Sequence, residues 1–258
     1  MPKTKSPQPP NAGQGESRVA RNLKLLSKDP GKFLQKVATW TRPMEAMYRR
    51  RWNHGIRKWM INYHTQILFK KVSWMGVPAR KMVLDSWVYQ DILYQTRPEI
   101  IIEIGNKFGG NTLFLAHMLD LLGSGQIIAV DIDHSDFRAR HPRIQTVTGD
   151  SSSKETLARV EELAAGRQGL VIHDGDHSTE HVTADLHVYT KYVAPGNYFI
   201  VEDTVNDLFR SGDGLGNING PLPAVRRFVE EDKRFEIDLE REYFVITFNP
   251  QGFLKRVR

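Results

Sequence analysis

The 258-residue sequence contains no cysteine. That absence excludes a disulfide scaffold, a Cys-ligated zinc or iron–sulfur centre and thiol catalysis, and leaves nothing that requires an oxidising compartment. Long apolar runs are missing too: charges interrupt the most apolar stretches well short of the ~18 residues that would span a bilayer. The opening MPKTKSPQPPNAGQGES is polar and has no apolar core. Neither a signal peptide nor a transmembrane helix is expected, and the expected location is cytoplasmic. Acid is scarce in the front of the chain. Residues 1–96 hold 18 Lys and Arg against 5 Asp and Glu, or +13, while the remainder holds 18 against 25, or −7, within a net charge of +6.

What is present fits one soluble globular core, since 40% of residues are hydrophobic and 26% charged. The basic front sets Arg49, Arg50, Arg51, Arg57 and Lys58 among Trp40, Trp52 and Trp59. Such a surface suits nucleic acid, anionic lipid or an acidic neighbouring subunit. The favoured reading is helices that pack by their aromatic side and carry Arg stems to solvent, subunit packing included, which makes nucleic acid the weaker candidate.

Residues 1–16 are rich in Pro and Gly and read as a disordered tail. Residues 17–96 form a basic helical segment. Apolar residues there recur at helical spacing (Phe33, Leu34, Val37; Ile56, Trp59, Met60, Tyr63, Ile67), with breaks at Asp29-Pro30-Gly31 and Pro43. From 97 to 258 the pattern changes to short β-rich runs separated by helical ones: EIIIEIG (99–105), QIIAVD (126–131), IQTVTG (144–149), GLVIHD (169–174) and NYFIVED (197–203). Nearly continuous apolar strands alternating with helices predict a doubly wound, Rossmann-like, parallel α/β sheet covered on both faces. Two further runs, FEIDLE (235–240) and YFVITF (243–248), predict a closing antiparallel hairpin.

Ligands of such sheets bind beyond the carboxyl ends of the strands. The first strand ends in Glu103-Ile-Gly105-Asn106-Lys-Phe-Gly109-Gly110, the second in Asp131, the third in Gly149-Asp150-Ser151. Glycines let backbone approach a ligand at a helix N-terminus, and a strand-end acid meets ribose hydroxyls. The spacing G-x-x-x-G-G, with an acid two residues before its first glycine, departs from the dinucleotide G-x-G-x-x-G and favours S-adenosylmethionine (SAM) over NAD.

The fourth and fifth strands end in His173-Asp174-Gly175-Asp176-His177 and Glu202-Asp203. Converging carboxylates must take up protons or bind a cation, and an all-oxygen set suits Mg²⁺. The alternative is that Asp203 and Asp174 only cap the structures that follow them. His177-Ser-Thr-Glu180-His181 also spells H-x-x-E-H, but its place directly after a strand argues against a zinc-protease site. His181 then reads as a helix-face residue, and His177 as a base beside the metal.

These residues resemble a known family. DGDHSTEHV (174–182), NYFIVEDT (197–204), FEIDLEREYFVITFNPQGFLKRV (235–257), EIGNKFGG (103–110) and the stretch from Ser73 to Gly105 are similar to the cephalosporin hydroxylase and rhamnosyl O-methyltransferase family, over about residues 70–258. The resemblance implies a class I SAM-dependent methyltransferase domain, a seven-stranded sheet with an antiparallel last strand, and a homo-oligomer. It places SAM against Glu103, Gly105, Asn106, Asp131, Asp150 and Ser151, and Mg²⁺ at Asp174, Glu202 and Asp203, with Asp176 a competing ligand. Trp74, Lys81, Asp85, Trp87, Tyr89 and Gln90 match a family stretch that covers cofactor or substrate, unless they serve only helix packing. The expected reaction is methyl transfer to a hydroxyl of a sugar-containing or phenolic small molecule, with Asp174 and His177 catalytic. A metal-assisted hydroxylase and a polyanion- or lipid-binding protein are the alternatives.

Overall fold

The computed structural model describes residues 24, 26–34, 55–209 and 219–258. The expected tail (1–16) and most of the basic stretch up to residue 54 lie outside the described residues. Contacts divide the chain into two compact units, Met1–Gly55 and Ile56–Arg258. In the first, Asp29 starts a helical turn: its Oδ1 accepts from the Lys32 amide at 2.9 Å, and Pro30 occupies the first helical position.

The second unit opens with helix α1 (Ile56–Asn62), which continues through a π-helical stretch, Tyr63–Leu68, to Lys71. A small antiparallel pair, β1 (Ser73–Trp74) and β2 (Val77–Pro78), leads to α2 (Val83–Thr96). The main sheet then contains β3 (Ile100–Ile104), β4 (Gln126–Asp131), β5 (Ile144–Thr148), β6 (Gly169–His173), β7 (Tyr198–Val201), β8 (Phe235–Ile237) and β9 (Phe253–Arg256), in the order β5-β4-β3-β6-β7-β9-β8. The first five are parallel; β9 runs antiparallel to both β7 and β8.

Alternation along the strands fills two cores. Ile100, Ile102, Ile104, Val130 and Val171 face one side, with α4 (Lys154–Ala164), α5 (Thr179–Tyr189) and α6 (Leu222–Glu231) supplying Val160, Leu186 and Phe228. Ile101, Ile127, Leu170 and Ile172 face the other, against α2 and α3 (Gly110–Leu122). Both faces are covered, as near-continuous apolar strands require. The boundary expected between 96 and 97 falls inside this unit, because α2 lays Tyr89, Ile92 and Leu93 in the second core.

Two further expectations change. No helix joins β4 to β5: residues 132–143 run as turns, with Asp133 accepting from the amide and hydroxyl of Ser135 at 2.8 and 2.7 Å. The closing hairpin uses 253–256, not 243–248. Side chains of α2 take up polar groups of the latter run and of the residue after it: the Phe248 amide donates to Asp85 (2.9 Å), Tyr243 to Asp91 (2.8 Å), and Asn249 Nδ2 to the Tyr89 hydroxyl (3.1 Å). Val245 is left-handed (φ 65°) and exposed, whereas Phe253 and Leu254 are fully buried and hold the place beside β7.

Candidate active site

The carboxyl ends of β3, β4, β5, β6 and β7 open into one cleft of about 790 Å³, which His64, Phe69, Arg80 and Lys81 also line. That is within the range of small-molecule sites. Glu103, Gly105, Asn106, Asp131, Asp150, Ser151, Asp174, Asp176, His177 and Asp203 all line it; Glu202 does not.

On the β3–β5 side, the turn after β3 is pinned from two directions. Asp131 Oδ2 accepts from the amides of Asn106 (2.6 Å) and Lys107 (2.8 Å), so this acid organises the turn as well as facing the cleft. Glu103 is fully buried and accepts from Asn111 Nδ2 (2.7 Å), Asn106 Nδ2 (3.0 Å) and the Thr112 hydroxyl. Burial pushes its pKa up, and Lys81 and the hydrogen bonds from Thr112 and Asn111 oppose the rise. Asp150 accepts from the hydroxyl and amide of Ser152, both at 2.8 Å, which hold its pKa low.

Ser151 belongs to a buried network that the sequence reading missed. Its hydroxyl donates to the fully buried Asp185 (2.9 Å) and lies 2.9 Å from His181 Nε2, while His173 Nε2, also fully buried, approaches Asp185 to 3.1 Å. His181 lines the cleft, a correction to its reading as a plain helix-face residue. Only the four-residue spacing from His181 to Asp185 on α5 hinted at this. His177 faces Asp174 and Asp203 instead, so the H-x-x-E-H histidines point at different partners and make no common zinc site.

On the β6–β7 side, ligand atoms of Asp174, His177 and Asp203 lie within 4.8 Å of one another. His177 Nε2 is 3.6 Å from Asp174 Oδ1 and 3.5 Å from Asp203 Oδ2. Capping falls to neighbours: Asp176 Oδ1 accepts from the Ser178 amide (2.8 Å), Ser178 is the N-cap of α5, and the Asp203 side chain makes no cap bond. Glu202 is not one of the three. One of its oxygens is 2.6 Å from Lys81 Nζ, and Oε1 is buried with no hydrogen-bond partner. Lys81, only 5% exposed, also pairs with Asp174. Burial pushes the Glu202 and Asp203 pKa values up, with Asp174 adding to both. Burial alone would lower Lys81, but Asp174, Glu202 and Glu103 outweigh it and hold the ammonium form. Four acids around a single lysine, and a buried carboxylate oxygen without a donor, fit a hard divalent cation.

Comparison with known proteins shows the family. The family model described as Rhamnosyl O-methyltransferase/CmcI matches residues 66–257. The rhamnosyl O-methyltransferase of Mycobacterium leprae (strain TN) is 32% identical over 206 residues, covering 77% of this chain and 88% of the relative. That of Mycobacterium bovis (strain BCG / Pasteur 1173P2) is 31% identical over 207 residues, covering 77% and 82%. Among solved structures, CmcI with Mg and SAM shares the fold, with a TM-score of 0.58 and 22% identity over 74% of this chain and 78% of that one.

Proposed function

The chain belongs to the rhamnosyl O-methyltransferase/CmcI family, and from that premise we propose that it is a SAM- and Mg²⁺-dependent O-methyltransferase acting on a hydroxyl of a sugar-containing or phenolic small molecule. The observation that carries the reading is the single cleft in which the turn after β3, Asp131 and Asp150 stand opposite Asp174, His177 and Asp203. The first group suits SAM, together with Glu103, Gly105, Asn106 and Ser151. Asp174, Asp203 and the donor-free oxygen of Glu202 suit Mg²⁺. Asp176 is the weaker ligand because its carboxylate is engaged at the start of α5.

When bound, SAM supplies the methyl electrophile and Mg²⁺ the Lewis acidity that makes an acceptor hydroxyl easier to ionise. The chain's own residues do the rest. The turn after β3, fixed by Asp131, and the acidic residues at the ends of β6 and β7 set cofactor and acceptor in one orientation. His177 takes the hydroxyl proton at Nε2, which lies 3.6 Å from Asp174 Oδ1 and 3.5 Å from Asp203 Oδ2. Calorimetric titration with SAM and Mg²⁺, followed by a screen of glycosylated and phenolic acceptors for methyl transfer, tests the assignment. Absence of SAM binding would remove it.

The hydroxylase alternative draws no support from the rhamnosyl O-methyltransferases matched over most of their length. For a homo-oligomer, support comes from exposed apolar side chains on one side of α2: Val83, Trp87 and Tyr94, beside the Tyr243–Val245 run that Tyr243 ties to Asp91. Sedimentation of the full chain tests that reading, and a monomer at micromolar concentration would end it. No helix among the described residues is long and apolar enough to cross a membrane.

A further inference from the structure

Lys81 already occupies part of the acidic site with a positive charge. Its Nζ bridges Asp174 and Glu202, two of the three oxygen ligands proposed for Mg²⁺, at 2.6 Å from Glu202 and closer still to Asp174. The main chain under it is fixed: the Tyr63 hydroxyl donates to the Lys81 carbonyl (2.9 Å) and accepts from the Val83 amide (3.3 Å). Just before it, Arg80 lies over the rings of Phe108 (4.6 Å) and Phe69 (5.3 Å). Two cations drawing on the same pair of carboxylates repel each other, and strongly so where solvent is scarce.

We propose that Lys81 is a resident cation that competes with the divalent ion for Asp174 and Glu202, keeping the acidic cluster assembled without metal and weakening metal affinity. The inference rests on the metal reading of this cluster given above. With the metal absent, the ammonium offsets part of the charge of Glu103, Asp174, Glu202 and Asp203, so the site is formed before the metal arrives. When the metal binds, Nζ must give up at least one carboxylate, which keeps binding reversible.

Mn²⁺ binding to the full chain, followed by electron paramagnetic resonance, and Mg²⁺ binding by calorimetry test this in wild type, Lys81→Met and Lys81→Arg. Lys81→Met keeps length and apolar stem but removes the competitor, so its Kd should fall at least tenfold, while Lys81→Arg should stay within about threefold of wild type. A purely structural lysine predicts the opposite, weaker binding in Lys81→Met. If Lys81→Met is unstable without metal, its melting temperature should rise more with saturating Mg²⁺ than that of wild type. Equal or weaker metal affinity in folded Lys81→Met, or failure of Mg²⁺ to rescue an unstable one, would overturn the proposal. Absence of any divalent binding in wild type would overturn the metal reading, and this inference with it.

Discussion

A side-chain carbon placed on Gly105 would lie 2.1 Å from the carbonyl oxygen of Asp174. The turn on the cofactor side and the first residue of the acidic cluster are therefore in direct backbone contact, and only glycine permits it. Gly105 is also left-handed, with φ +84°. Gly105→Ala should force the two strand ends apart and cost about 1–3 kcal/mol of stability from backbone strain, with more from the clash. SAM binding should fall sharply by calorimetry. Gly123→Ala is the control: its φ is +81°, but its added carbon meets nothing within 4 Å, so it should lose some stability and keep SAM affinity. Intact binding in Gly105→Ala would show that the contact does not shape the site.

Asp131→Ala should weaken SAM by about 1–3 kcal/mol, the usual cost of losing charge-assisted hydrogen bonds. The loss has two parts, because the carboxylate holds the amides of Asn106 and Lys107 as well as facing the cleft. Asp131→Asn, which can still accept from at least one amide, should recover part of it. Wild-type affinity in the alanine variant would refute the assignment.

Sequence periodicity was a good guide wherever a strand is buried on both faces. QIIAVD and GLVIH become β4 and β6 with almost no adjustment, since burial on two sides leaves a continuous apolar signature. It misled at 243–248, where alternating aromatic and β-branched residues look like a strand but polar groups are claimed by Asp85 and Asp91, far away in sequence. The site shows the same division. Acids at strand ends could be found from the fold rule alone, but Lys81 bonds to residues 93 and 121 positions away, and only the family resemblance singled it out. His173 and Asp185 were hidden differently, as ordinary members of a strand and a helix that meet only through packing.

Stability should depend on pH through Asp85. This carboxyl is 4% exposed, and burial pushes its pKa up to about 7, against the opposing hydrogen bonds from Thr247 and the Phe248 amide. A folded-state pKa above the unfolded value means that the stabilising contribution is complete below about pH 4 and is lost as the pH rises towards 7. Asp85→Asn cannot ionise. The unfolding free energy of Asp85→Asn minus that of wild type should therefore grow between pH 4 and pH 8, by an amount on the order of 2–4 kcal/mol. The reading is the slope of this difference, which the constant cost of the new amide does not affect. A flat difference would mean that Asp85 titrates normally.

The two cleft histidines should separate chemistry from cofactor binding. His177 Nε2 lies between Asp174 and Asp203, where an acceptor hydroxyl would lose its proton, whereas His181 meets Ser151 at the end of β5 and is backed by Asp185. His177→Ala should lower kcat by about 10²- to 10⁴-fold, the usual range for loss of a general base, and leave SAM affinity nearly unchanged. Because ligand atoms of His177, Asp174 and Asp203 cluster within 4.8 Å, the same variant must also be tested for Mn²⁺ affinity. An unchanged Kd keeps His177 as the base, and a loss of tenfold or more makes it a ligand. His181→Ala should instead raise the Kd for SAM several-fold with kcat at saturating SAM little affected, since its hydrogen bond lies on the side assigned to the cofactor. Equal loss of kcat in both variants would mean that the histidines share one function, and an undiminished kcat in His177→Ala would leave proton removal to solvent.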